Sequence, residues 1–83
     1  MPVKEWNSVQ EAEDALNKRY RGKLLQLEYY HPRKGFQTKA AIVDRLAIDT
    51  ATRQTPQIIL IFNDGTRNEV DKDEFSTVTK LLD

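Results

Sequence analysis

Apolar residues recur along this chain with two different periods. Between residues 8 and 21 the apolar positions Val9, Ala12, Leu16 and Tyr20 recur at spacings of three, four and four, which places them on one stripe of a helix. Glu11, Glu13, Asp14 and Lys18 fall elsewhere on it. Ser8 followed by Glu11 is a capping box, Lys18, Arg19 and Arg21 suit the C-terminal end of the dipole, and Gly22 supplies a stop, so a helix is predicted over 8–21. From residue 23 onward the period becomes two. Residues 23–30 alternate Leu25, Leu27 and Tyr29 with Leu24, Gln26, Glu28 and Tyr30, which predicts a strand. Pro32 and Gly35 interrupt it and make 31–37 an exposed loop carrying Phe36. Residues 38–49 then read as a second strand, although Ala40 to Leu46 also fits a short helix.

The strongest local signal is Ile58-Ile59-Leu60-Ile61-Phe62 running into Asn63-Asp64-Gly65-Thr66, a hairpin between strands at 57–62 and 66–70. Ile58, Leu60 and Phe62 point one way and Ile59 and Ile61 the other, so this strand is apolar on both faces and needs cover twice. The helix is expected to supply one cover. After a polar connection at 50–57 broken by Pro56, and beyond Val70, the run Asp71-Lys72-Asp73-Glu74-Phe75 predicts a capped turn, followed by a strand at 77–82 for which a last helix is the alternative. Five short strands with one helix predict a mainly β single domain over 1–83: a helix at 8–21 and, over 23–82, a five-stranded antiparallel small barrel that closes to avoid open edges.

Composition narrows the class without changing this picture. With 83 residues, 39% apolar and 31% charged, the chain has room for one modest core. It contains no cysteine, which excludes a disulfide framework and thiolate metal sites and fits a reducing compartment. The opening residues 1–6 lack the apolar run of a secretory signal and no segment approaches a membrane span, so a cytoplasmic location and no membrane partner are expected. Formal net charge is zero but unevenly spread: Lys18, Arg19, Arg21, Lys23, Arg33, Lys34 and Lys39 stand against Glu28 alone, a local excess of six. Interleaved with Tyr20, Tyr29, Tyr30 and Phe36, these seven form a candidate surface for single-stranded nucleic acid.

The residues Ala40-Ala41-Ile42-Val43-Asp44-Arg45-Leu46, the segment 58–70 and Asp73-Glu74-Phe75 together resemble the Tudor branch of SH3-like barrels, in which a strand ending in Phe-x-Asp-Gly is followed by a polar strand and a single turn. The resemblance covers roughly 24–82 and rests mainly on Phe62-Asn63-Asp64-Gly65-Thr66. It implies recognition of methylated lysine or arginine by an aromatic cage. Phe62 matches the cage aromatic before the Asp-Gly turn, while Thr38 and Asn68 stand where two others are expected. Tyr29, Tyr30 or Phe36 can substitute if the first loop folds over Phe62. The Arg21-Gly22-Lys23-Leu24-Leu25-Gln26-Leu27 run is similar to the first strand of the Sm-like fold, yet Asn63-Asp64-Gly65 replaces the Arg-Gly step that family uses to bind uridine.

Catalysis is not expected. His31 is the only histidine, Ser8 and Ser76 the only serines, and no nucleophile, base and orienter set assembles from them. Asp71, Asp73 and Glu74 lack the glycine and distant glutamate of a calcium loop, so no metal and no cofactor is expected. The sequence therefore predicts a non-enzymatic module binding a protein or peptide through Tyr30, Phe36, Phe62 and Asp64 at one end of a small barrel. Nucleic acid is the alternative partner, and oligomeric state is left open.

Overall fold

The computed structural model describes residues 8–51 and 54–82; the opening stretch read for a leader and the middle of the 50–57 connection lie outside them. Helix α1 (Val9–Tyr20) is followed by strands β1 (Leu24–His31), β2 (Gly35–Asp49), β3 (Gln57–Phe62) and β4 (Arg67–Asp71), a 3₁₀ turn (Lys72–Glu74), a single helical turn α2 (Phe75–Val78) and β5 (Thr79–Leu81). All strand pairs are antiparallel and form one sheet in the order β4-β3-β2-β1-β5. The helix-then-strands reading holds, and the segment 38–49 is strand.

Two boundaries differ from expectation. The first loop is shorter than 31–37: the turn occupies residues 32–34, and Gly35, at φ 79°, already starts β2, so Phe36 stands on a strand. Beyond Val70, Asp71 caps the amide of Asp73 at 3.4 Å, and two successive turns run from Lys72 to Val78 before the chain re-enters the sheet. The expected closure into a cylinder is not made. β4 and β5 are the two edges of an open sheet, with no pairing between them among the described residues.

The core lies on one face of this sheet: Leu25 and Leu27 of β1, Val43 and Leu46 of β2, Ile58, Leu60 and Phe62 of β3, Val70 of β4 and Phe75 of α2. Seven of these nine are at most 2% exposed, as alternation along β1 and β3 predicts. Tyr20 meets Phe75 edge to face with centroids 5.3 Å apart, tying the end of α1 to α2.

The helix sets Leu16 and Tyr20 against the core that β3 shares, but its polar attachments are to β2. β1 pairs with β2 only as far as Ile42, and the register slips between Val43 and Arg45, so the remainder of β2 has one edge uncovered by any strand. Helix α1 lies along that edge. The Asn17 side chain accepts from Leu46 N–H at 2.8 Å and donates to Leu46 C=O at 2.9 Å, and Glu13 Oε2 accepts from Ile48 N–H at 2.7 Å. Two polar side chains thus stand in for a neighbouring strand, satisfying backbone groups that burial would otherwise strand. Ala12, Leu16 and Tyr20 of the predicted stripe turn toward the sheet, while Val9 remains 43% exposed. Ile59 and Ile61 stay half-buried. Ile61 has Arg45 and Arg67 as its cross-strand neighbours, whose aliphatic stems are placed to flank it.

Candidate functional site

The β1–β2 hairpin extends past the rest of the sheet. β5 reaches only Leu27 on one side, and β3 joins β2 only from Val43 onward on the other. Its turn is held from within, because His31 Nδ1 accepts from the backbone N–H of Arg33 at 3.1 Å and of Lys34 at 3.3 Å. The three-residue turn sets the register, and the register places Tyr30 opposite Phe36. Both occupy even positions, on the face opposite to Leu25, Leu27 and Val43, so both rings project outward. Their centroids are 5.4 Å apart at 72°, and the residues are 63% and 84% exposed.

Phe62 belongs to the other face. It is 1% exposed within the core, and Lys39 Nζ lies 4.8 Å from its ring centroid. The cation against this ring is the chain's own ammonium. Phe36 lies seven residues from Val43, the partner of Phe62, or about 23 Å along β2. The first loop does not fold over Phe62, and Tyr30 and Phe36 are not brought together with it. Thr38 is exposed and Asn68 half-buried at the two positions where the resemblance leads one to expect aromatics.

Lys39 also donates to Thr66 Oγ1 and pairs with Asp64 Oδ2 at 3.3 Å. Asp64 Oδ1 accepts from the Thr66 hydroxyl at 2.6 Å and the Thr66 amide at 3.0 Å. These Thr66 bonds, with a smaller contribution from Lys39, hold the Asp64 carboxyl down at about 2. Gly65, at φ 90°, completes the turn. Asp64 is thus the organiser of the β3–β4 turn.

The seven basic residues divide. Lys18 and Arg19 end α1, Arg21 and Lys23 link it to β1, and Arg33 and Lys34 sit in the hairpin turn, all exposed. The two groups flank the length of β1, about 26 Å for eight residues. Lys39 belongs to neither, being committed to Asp64 and Phe62.

Sequence reasoning did not find the third surface. A cleft of about 260 Å³ opens between β1 and β4, with Glu28, Tyr29, Glu69, Asp71, Glu74 and Val78 among its lining. Glu69, Asp71 and Glu74 are close in sequence, and the fold brings Glu28 of β1 to the same cleft. An apolar groove of about 270 Å³ lies between Val9 and Ala12 of α1 and Ile48 and Pro56. Among the described residues no group of three or more His, Cys, Asp or Glu side chains is placed to hold a metal ion, and no helix is long and apolar enough to cross a membrane. No protein-family model matches this chain, and comparison with curated proteins and with solved structures gives no match.

Proposed function

We propose that the chain is a non-enzymatic interaction module of the SH3-like small-barrel class, which binds a protein or peptide through the end of the molecule carrying the β1–β2 hairpin. The observation that carries this reading is the Tyr30–Phe36 pair: two rings packed on each other, 63% and 84% exposed, on a ribbon extending beyond its neighbours. Paired exposed aromatics offer apolar area at low entropy cost, and such patches mark contact surfaces. The barrel class is supported by the β4-β3-β2-β1-β5 order, the long β2 with its register slip, and the turn linking β4 to β5. In this reading Asp64 stiffens the adjoining rim and Phe62 supports it from the core.

A second reading has its own observation. Arg33 and Lys34 sit in the turn that joins the strands bearing Tyr30 and Phe36, an arrangement suited to stacking a base and holding its phosphate.

One experiment separates the two. A random peptide display library is panned against the protein, and the binders are re-tested on Tyr30→Ser/Phe36→Ser. Binders that lose the double variant support the proposal; binders that hold both forms equally overturn it. In parallel, an oligothymidylate that shifts amide signals at low salt, and loses the shift with Arg33→Ala/Lys34→Ala, would replace the first reading with the second.

A further inference from the structure

From the cleft between β1 and β4 we infer that the partner is an extended, cationic peptide segment, taken up as an added strand on the outer edge of β4. The inference rests on the peptide-binding reading above and adds the partner's chemistry and seat.

The edge is open and its polarity is fixed by the ladder. Phe62 N–H donates to Thr66 C=O and Lys72 N–H to Pro56 C=O, so in register Leu60 with Asn68 and Ile58 with Val70 are the pairs exchanging bonds. The backbone groups of Arg67 and Glu69 therefore face away from β3, and they have no partner among the described residues. Across the cleft, Val43 N–H donates to Lys23 C=O and Leu82 N–H to Leu24 C=O, which by the same alternation turns the backbone of Tyr30 outward beyond the end of β5. An unsatisfied strand edge beside a cavity is the geometry of strand addition.

Charge selects the strand. Glu28, Glu69, Asp71 and Glu74 line the cleft, no Lys or Arg does, and none of these four is in an ion pair among the described residues. Half-buried Tyr29 and Val78 supply apolar floor. A segment alternating basic and small apolar residues meets both requirements, because successive side chains point to opposite sides.

The test titrates the full chain, observed by amide NMR, with Ac-Lys-Val-Lys-Val-Lys-NH₂ and with Ac-Glu-Val-Glu-Val-Glu-NH₂. The lysine peptide is expected to bind at least about tenfold more tightly, to weaken with salt, and to move and slow the exchange of the Glu69 amide. Glu69→Pro removes the outward donor while sparing the bonds to β3, and should abolish that binding; Glu69→Ala should retain most of it. Glu28→Gln/Glu74→Gln, both exposed, should weaken it about three- to tenfold. Equal binding of the two peptides, no binding of either, or undiminished binding to Glu69→Pro overturns the inference. Shifts confined to Tyr30, Arg33 and Phe36 overturn it while leaving the hairpin-end function standing. Concentration-dependent shifts at Glu69 without peptide assign the edge to a second copy of the chain and overturn it as well.

Discussion

Lys39 decides the role of Phe62. Its ammonium bridges Asp64 and Thr66 over a ring that is 1% exposed, so Phe62 contributes through packing. Phe62→Ala should destabilise the fold by about 3–5 kcal/mol in denaturant titration, the range for a buried aromatic truncated to Ala. Asp64 makes a pH-dependent contribution. Its carboxyl sits at about 2, below the ordinary value of 3.8, so the stabilisation is present above that ordinary value and is lost as pH falls toward 2. Acid titration of the midpoint should therefore show a decline between about pH 4 and 2 that is flattened in Asp64→Asn. The Phe-x-Asp-Gly turn was legible because its chemistry is local. Which face Tyr30 and Phe36 share was not, since their common parity depends on a three-residue turn, and Pro32 with Gly35 in the sequence is compatible with a longer loop as well.

At the scale of elements, α1 is positioned by polar side chains as much as by its apolar stripe. Asn17 makes two bonds to the backbone of Leu46, itself 1% exposed, and a third to Glu13 C=O at 2.8 Å. Removing it leaves a donor and an acceptor unmet, and Asn17→Ala should cost about 2 kcal/mol, a fall of roughly 10 °C in Tm by calorimetry. The extent of this helix was readable from Ser8, Glu11 and Gly22, whose effects act within a turn or two; the Ser8 hydroxyl does accept from Glu11 N–H at 3.1 Å. Its docking site was not. The twofold apolar character of β3 pointed to cover by the helix, but the greater need lay on β2, whose free edge arises only because β1 stops pairing at Ile42. That length mismatch between strands is a tertiary quantity with no signature at Glu13 or Asn17.

Taken as a whole, the molecule is a sheet with a firm centre and an extended corner. β1, β2 and β3 share the core, with β3 paired on both sides along most of its length and β1 over Leu25–Leu27, whereas the strands at 28–31 and 35–40 depend mainly on each other. Native-state hydrogen exchange should find the slowest amides at Leu25, Leu27 and 58–61 and the fastest strand amides at Tyr30 and Phe36. Strand number and order of appearance were readable from alternation, turn residues and the hairpin. The open seam was not, because whether two edges meet depends on cumulative twist and strand length, to which the apolar pattern is indifferent.

The amide-and-carboxylate lining that α1 lays against β2 has one more consequence. A margin of backbone that Glu13 and Asn17 keep from its own kind becomes adhesive when the cover lifts. A lesion in the helix should then register less as simple unfolding than as a change of company: Leu16→Pro, which breaks α1 at its middle, should turn the elution volume on a sizing column into a function of loading concentration.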